Sequence, residues 1–215
     1  VAVAPVSSTT EMVEQRLYMV KRSDKRELLN HLLTEDLEGS VLVFTRTKRG
    51  ADRVVKDLKA AGIRADALHG DKSQEARQRA LRAFKSRQTR VLVATDIASR
   101  GIDISELPYV VNYDVPETPE TYVHRIGRTG RAGMTGIAIT LADREEASDI
   151  RAIEKLTKNP IPRIAEHPFA SQEAEFDTRP VQPAARRGQR HSYSGGKTFS
   201  PPRFGRGRSG ATSRR

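Results

Sequence analysis

The sequence predicts an α/β protein whose doubly wound parallel sheet is covered by helices on both faces. Short runs of β-branched residues alternate with amphipathic helical segments along most of the chain. Two of the runs, VLVF at 41–44 and VLVA at 91–94, are apolar throughout, which is typical of strands buried on both faces. The 215 residues are enough for one domain of about 150 residues and additional segments.

The first strand and the first helix are predicted at 15–20 and 24–39. Asp24 and Glu27 stand at capping-box spacing, and Gly39 is a stop signal. The helix would bury a face formed by four leucines, which are Leu28, Leu29, Leu32 and Leu33. This apolar face requires the helix to pack against the sheet.

The middle of the chain repeats this alternation. A strand at 41–45 precedes a helix that ends at Gly62. The helix would bury Ala51, Val54, Val55 and Leu58. The next elements are a strand at 64–68, a helix from Ser73 to about Lys85 and a strand at 91–95.

The last third of the domain follows the same rule. A strand at 109–113 leads to a helix that begins at a Thr118 cap with Pro119 in its first turn. After a strand at 136–142, a final helix begins at Asp143, with Glu146 at capping-box spacing. Its buried residues would be Ala147, Ile150 and Ile153. So many strand and helix units predict a parallel sheet over residues 13–165.

The segments outside this domain have a different composition. Residues 1–12 are small and polar without a helical period, and we interpret them as a linker between domains. Residues 166–215 are rich in Arg, Gly, Ser and Pro and cannot bury enough apolar surface to offset their ordering entropy. We therefore expect a disordered basic tail.

The composition limits the classes of function. The formal net charge is +11, which favours nucleic acid or another polyanion as a partner, although excess basic residues can also serve solubility alone. There is no cysteine, so disulfides and cysteine zinc sites are excluded and a cytoplasmic location is expected. The apolar runs are too short to span a bilayer, so we expect no association with a membrane. The five histidines are scattered along the chain, so we expect no metal site.

The loops that follow the predicted strands contain hydroxyls, glycines and arginines suited to binding phosphates. The loop TRTKRG alone also fits a solvated helix start, and SQEAR alone fits a serine-capped helix with a surface arginine. In ATDIASRGID, the pair Arg100 and Gly101 lies near Asp96 and Asp103 with no evident packing purpose. One edge of the sheet is therefore a predicted phosphate-binding surface.

The densest cluster of cations is HRIGRTGR at 124–131. Arg125, Arg128 and Arg131 recur at three-residue spacing, so on a helix they would form one cationic ridge instead of pairing with acids. This pattern favours a functional role in binding an anion.

Four sequence motifs now identify a family. VLVFTRTKRG, QEAR at 74–77, VLVATDIASRGIDI and YVHRIGRTGR, in this order, closely resemble motifs IV, QxxR, V and VI of the C-terminal RecA-like lobe of DEAD-box RNA helicases. The connecting segments resemble the bacterial RhlE group. The resemblance runs from about Glu14 to Ile164, and it implies a RecA-like fold.

The resemblance implies a role for each matched residue. Family members hydrolyse ATP with Mg²⁺ between two RecA-like lobes, so Arg128 and Arg131 would be arginine fingers. Asp103 would meet the ribose, and His124 and Arg125 would couple the lobes. The residues expected to contact the RNA backbone are Thr47, Gly70, Gln74, Arg77, Thr95, Arg100 and Gly101. Contacts of this kind give little sequence preference.

Parts of the family pattern are missing from this sequence. The phosphate loop G-x-x-x-x-G-K-[ST] and the Asp-Glu-Ala-Asp box, which belong to the N-terminal lobe, do not occur. We therefore expect a chain that is inactive alone and that pairs with an N-terminal lobe to open single-stranded or short duplex RNA with ATP. A stand-alone RNA-binding module without catalysis is the alternative, and a DNA helicase lobe of the same fold is a third reading.

Overall fold

The described part of the chain forms seven strands. The computed structural model describes residues 13–99, 104, 106–130 and 136–170. The strands are β1 (Val13–Met19), β2 (Val41–Phe44), β3 (Ala65–Leu68), β4 (Val91–Ala94), β5 (Tyr109–Asn112), β6 (Gly136–Ala142) and β7 (Arg163–Ile164). The helices are α1 (Lys25–His31), α2 (Lys48–Ala60), α3 (Gln74–Lys85), α4 (Asp96–Ser99), α5 (Pro119–Ile126) and α6 (Ala147–Thr157).

All seven strands lie in one sheet in the order β3-β4-β2-β5-β6-β1-β7. Every pair of neighbouring strands is parallel. The first strand of the chain therefore lies between the last two strands, and the short β7 forms one edge. The predicted doubly wound parallel sheet is confirmed.

Alternate residues of the strands pack against helices on opposite faces of the sheet. Val41 and Val43 of β2 belong to the core under α1 and α2, whereas Leu42 and Phe44 belong to the core under α3. A third cluster, around Tyr122 of α5, joins β1 and β6 to α5 and α6. Burial on both faces explains why the strands are apolar without alternation.

The first helix departs from its prediction at both ends. Asp24 makes no side-chain cap bond, and its carboxylate instead accepts a hydrogen bond from the Ser23 hydroxyl. The α-helix ends at His31, and Leu32–Asp36 form a π-helical turn. The guanidinium of Arg90, the residue directly before β4, donates to the carbonyls of Leu33 and Leu37. This side chain therefore supplies hydrogen bonds to carbonyls at the end of the helical segment, which stops before Gly39.

Two later helix starts give mixed results. Asp143 and Glu146 form the predicted reciprocal pair, because each carboxylate accepts a bond from the other's backbone NH (3.1 and 3.2 Å), although α6 itself begins only at Ala147. Ala147 is half-buried, not buried as predicted. Thr118 makes no cap bond to the backbone, and its hydroxyl pairs with that of Thr121 at 2.7 Å.

The carboxylate of Glu146 is also the centre of a buried ionic cluster. It accepts from Lys25 Nζ at 2.5 Å and from Arg46 Nη2 at 3.2 Å. The backbone NH of Val115 donates to the same carboxylate at 3.1 Å. Lys25 is only 2% exposed and also donates to the Tyr113 carbonyl. This cluster joins the chain segments that follow β1, β2, β5 and β6.

The described chain continues past residue 165, where the sequence places the end of the domain. The rings of Tyr18 and His167 lie 5.4 Å apart, and Phe169 packs against the main core. Burial lowers the pKa of His167. No helix within 13–99, 104, 106–130 and 136–170 is long and apolar enough to cross a membrane. The linker at 1–12 and residues 171–215 of the tail lie outside the described residues.

The buried pair predicts unequal effects of two lysine substitutions. Lys25→Met leaves the Glu146 carboxylate buried with an incomplete set of partners, so we expect the free energy of unfolding to fall by about 3 kcal/mol or more. Lys59 forms an exposed pair with Asp66, and Lys59→Met should cost about 1 kcal/mol or less. Urea unfolding followed by circular dichroism measures both, and equal losses would contradict the assigned role of Lys25.

Candidate functional site

The loops that follow four neighbouring strands line a groove at the carboxyl ends of these strands. Because the strands are parallel, the chain leaves β2, β3, β4 and β5 at the same edge. The groove has a volume of about 740 Å³. Its lining consists of Arg46, Thr47, Lys48, Arg49, Gly70, Asp71, Thr95, Asp96, Ile97, Pro116, Glu117, Thr118, Thr121 and Arg125.

Three residues predicted to contact RNA lie in this groove. Thr47 is the N-cap of α2, and its hydroxyl accepts from the NH of Gly50 at 2.9 Å. Gly70 is exposed, and Thr95 is buried at the end of β4. These residues present hydroxyls and the start of a helix to the groove, which is an arrangement suited to anions.

Gln74 and Arg77 lie on α3 and do not line the groove. Arg77 Nη1 donates to the Gln74 side chain at 3.3 Å, and Arg77 Nη2 reaches the Ala98 carbonyl at 3.5 Å. Ser73 caps α3 by accepting from the NH of Ala76, as the sequence predicts. Arg77 therefore connects α3 to the end of α4 at the rim of the groove.

The groove also contains residues that sequence reasoning did not select. Lys48 Nζ pairs with Asp71 at 2.6 Å, and this hydrogen bond holds the pKa of Asp71 below its usual value. Arg46 lies in the same loop. Ile97 is 79% exposed, an unusual value for a large apolar side chain. The motif TRTKRG pointed to this loop, but sequence reasoning selected only Thr47 from it and did not select Arg46 or Lys48.

Arg125 is a buried cation at the wall of the groove. Its Nε and Nη2 bind both oxygens of Asp96 at 2.7 and 2.8 Å. Its Nη1 donates to the Asn112 side chain and to the Asp114 carbonyl, and its guanidinium lies 5.0 Å from the Phe44 ring centre. At 2% exposure, the Arg125 guanidinium contacts these partners within the domain and is not open to direct contact with another molecule.

The predicted cationic ridge of arginines is therefore wrong. Arg125 pairs with Asp96, which the three-residue spacing did not foresee. The helix α5 ends at Ile126, so Arg128 lies in the turn after the helix and does not continue its helical spacing. The three-residue spacing had indicated a ridge shared by these arginines, but Arg125 is buried against Asp96 and Arg128 lies outside the helix.

Arg128 lines a small cavity of about 30 Å³ together with the exposed His124. Asp96, Thr121 and Arg125 line both this cavity and the groove. The Asp96–Arg125 pair is therefore part of a wall with the groove on one side and Arg128 on the other.

The turn that holds Arg128 packs closely against the start of β6. The Arg128 carbonyl accepts from the NH of Leu107 at 3.2 Å, and the Thr129 hydroxyl donates to the Leu107 carbonyl. A Cβ on Gly136 would lie 2.3 Å from the backbone nitrogen of Gly130. Only glycine permits this approach, so Gly136 contributes to the position of the turn.

Four of the predicted site residues lie outside the described residues, namely Arg100, Gly101, Asp103 and Arg131. Within the part of the chain that the structure describes, no group of three or more His, Cys, Asp or Glu residues could hold a metal ion.

Comparison with known proteins gives one consistent result. Residues 24–133, more than half of the chain, match the helicase conserved C-terminal domain family. The DEAD-box ATP-dependent RNA helicase CshA of Streptococcus pneumoniae is 44% identical over 158 residues, which make up 74% of this chain and 30% of CshA. The chain spans less than a third of the length of such curated relatives.

Solved structures give the same fold. The C-terminal domain of the DEAD-box protein Dbp5 has a TM-score of 0.67 at 34% identity, and the match covers 72% of this chain and 91% of that one. Saccharomyces cerevisiae Dbp5 bound to RNA and ADP BeF3 matches with a TM-score of 0.67 at 34% identity, over 71% of this chain and 41% of that one. The predicted RecA-like fold is confirmed.

The pairing of the buried Arg125 with the partly exposed Asp96 predicts a large effect of removing one charge. Asp96→Asn leaves the guanidinium of Arg125 buried without its anion, so we expect the melting temperature to fall by about 6 °C or more. The exposed pair of Lys48 and Asp71 supplies the control, and Asp71→Asn should change the melting temperature little. Calorimetry of both variants tests this, and a small shift for Asp96→Asn would mean that water replaces the lost partner.

Proposed function

Because the chain belongs to the helicase conserved C-terminal domain family, in its DEAD-box branch, we propose that it acts as the C-terminal lobe of an ATP-dependent RNA helicase. The lobe binds the RNA backbone in its groove and supplies Arg128 to ATP held by an N-terminal lobe. The observation that carries this proposal is the shared wall, in which Asp96 and Arg125 separate the groove from Arg128.

The groove supports the RNA-binding half of the proposal. Thr47, Gly70 and Thr95 offer hydroxyl and backbone groups, and Arg46 and Lys48 supply positive charge. Such groups bind phosphates and sugars, which carry no direct sequence information. The lobe therefore binds RNA single strands and short duplexes with little sequence preference. Gln74 and Arg77 extend this surface along α3, and Arg100 and Gly101 are assigned to it from the family motifs alone.

Arg128 supports the catalytic half of the proposal. A guanidinium close to the γ-phosphate stabilises the charge that develops in phosphoryl transfer. The exposed His124 lines the same small cavity as Arg128, and we assign to it a contact with the N-terminal lobe. Arg125 positions this region through Asp96. The family motifs add Arg131 as a second finger and Asp103 as the ribose contact.

The remaining assignments of the proposal rest on the family. We assign ATP and its Mg²⁺ mainly to the N-terminal lobe, which supplies the phosphate loop. Residues 1–12 would connect the lobes, and residues 166–215 would add positive charge for RNA. Membership of the RhlE group stays a prediction, since the bacterial relative compared above is a CshA protein. The cytoplasmic location is likewise a prediction from composition.

Arg128→Ala tests the catalytic assignment in a protein that joins this chain to an N-terminal lobe with a phosphate loop. Loss of an arginine finger should lower kcat for RNA-stimulated ATP hydrolysis about 10³-fold, with RNA binding in the absence of nucleotide unchanged. Arg128→Lys should not restore kcat, because an ammonium lacks the planar fork.

Arg151→Ala is the matched control, since this exposed arginine of α6 lines neither the groove nor the smaller cavity. The 215-residue chain alone should show no RNA-stimulated hydrolysis. Turnover by the chain alone, or near-normal kcat in Arg128→Ala, would contradict the proposal. If the two-lobe protein binds RNA and Arg128→Ala leaves kcat unchanged, the non-catalytic RNA-binding module is favoured.

The two ends of α2 offer a matched pair of lysines for testing the groove. Lys48 lies in the groove and Lys59 lies near the opposite end of the helix, and each pairs with one aspartate. Lys48→Ala should raise the Kd for single-stranded RNA about tenfold and lower the salt slope by about 0.7. Lys59→Ala should change neither quantity. Fluorescence anisotropy at several salt concentrations measures both, and equal effects of the two variants would remove the groove from RNA binding.

A further inference from the structure

A second cavity lies on the other side of the loop that follows β2. It has a volume of about 670 Å³, within the usual range for ligand pockets. The loop after β1, the start of α2 and the residues after β5 line it. Six of the lining side chains are basic and two are acidic. A cavity of this size with such an excess of cations is suited to an anion that carries several charges.

Three of the six cations are already engaged. Lys25 and Arg46 share the Glu146 carboxylate, and Arg26 pairs with Glu27. These three charges are partly neutralised by carboxylates of the same chain, so attraction for a ligand in the cavity depends mainly on the other three cations.

The other three cations are Arg22, Arg49 and Arg53. All three are exposed, and within the described residues no ion pair or hydrogen bond engages their side chains. Guanidinium groups bind phosphate oxygens in a bidentate manner. Three unengaged guanidiniums around one cavity therefore indicate phosphate groups as the ligand chemistry.

The second cavity adjoins the groove across the loop that follows β2. Arg46, Thr47 and Arg49 line both. A ligand that passes over this loop therefore enters the cavity directly from the groove. An extended chain of phosphates satisfies this geometry, whereas a compact anion would occupy the cavity alone.

The cavity also has an aromatic wall. The ring of Tyr113 lines it and is half-buried. Burial, reinforced by the nearby carboxylate of Asp114, raises the pKa of Tyr113 to about 12, so the phenol stays neutral at physiological pH. Aromatic rings beside cations are a common combination in single-strand binding sites.

We propose that this cavity binds the sugar-phosphate backbone of the RNA strand where the strand leaves the groove, with Arg22 and Arg53 as phosphate contacts. The inference rests on the proposed function, since it extends the RNA path beyond the groove. It assigns to the loop after β1 and to the outer face of α2 a binding role that the family motifs of this sequence do not include.

The test compares two RNA lengths with the full 215-residue chain. A short RNA of about five nucleotides and a long one of about twelve bracket the range of single-strand site sizes. The variant Arg22→Ala/Arg53→Ala removes two cations of the cavity and leaves Arg49, which also lines the groove. The control variant Arg82→Ala/Arg151→Ala removes the same charge from exposed positions that line neither cavity.

For the long RNA, the cavity variant should lower the slope of log Kd against log salt by about 1.4, or about 0.7 for each phosphate contact on a single strand. The short RNA should bind the variant and the unmodified chain with the same slope. The control variant should leave both slopes unchanged.

Other results overturn the inference in distinguishable ways. If the unmodified chain binds neither RNA, the proposed function itself fails. If the short RNA binds but the cavity variant does not change the slope for the long RNA, the function stands and the extended path is wrong. Equal slope changes for both lengths would place Arg22 and Arg53 in the groove. If tripolyphosphate binds the unmodified chain but not the variant while RNA slopes stay unchanged, the cavity takes free polyphosphate.

Discussion

The arrangement of the site depends on one buried guanidinium. Arg125 comes from α5, and it binds groups that follow or belong to the three neighbouring strands β4, β2 and β5. A buried charge is tolerated only when its donors are satisfied, so the segments that provide Asp96, Asn112 and the Asp114 carbonyl are constrained to one relative position. The groove and the cavity of Arg128 inherit their geometry from this constraint.

The buried carboxylate of Glu146, which follows β6, likewise fixes the relative positions of chain segments that bind to it. It holds Arg46, whose loop separates the groove from the second cavity, and it holds Lys25 at the start of α1. The groove and the second cavity therefore share a wall whose position is set by ionic bonds inside the domain.

Local patterns in the sequence predict the fold well and the ionic contacts poorly. The apolar runs at 41–44 and 91–94 predicted buried parallel strands, because such runs reflect burial on both faces. Thr47, Gly70 and Thr95 line the groove, and the sequence pointed to them because each follows a strand and the family resemblance includes them. These signals are local, so they are legible without the structure.

The rest depends on contacts between residues far apart in the chain. The Lys25–Glu146 pair joins residues 121 positions apart, and no periodicity indicates such a partner. Arg125 was predicted to share a cationic ridge without an acidic partner, because spacing does not report which acid a fold brings near. The early end of α1 has the same origin, since Arg90 approaches the helix from another element. The two-residue β7 is too short to carry a strand pattern.

The place of β1 in the sheet has a consequence for how the domain folds. Val13 pairs with Gly136 and Leu17 pairs with Arg163, so the first strand gains its neighbours only from the last quarter of the domain. During synthesis, a strand with unpaired edges, which buries Val13, Leu17 and Tyr18 in the folded domain, must wait until more than a hundred further residues have left the ribosome. The high contact order of this pairing predicts slow folding with completion at the last step. Any chain shortened before β6 would retain an unpaired strand that favours aggregation.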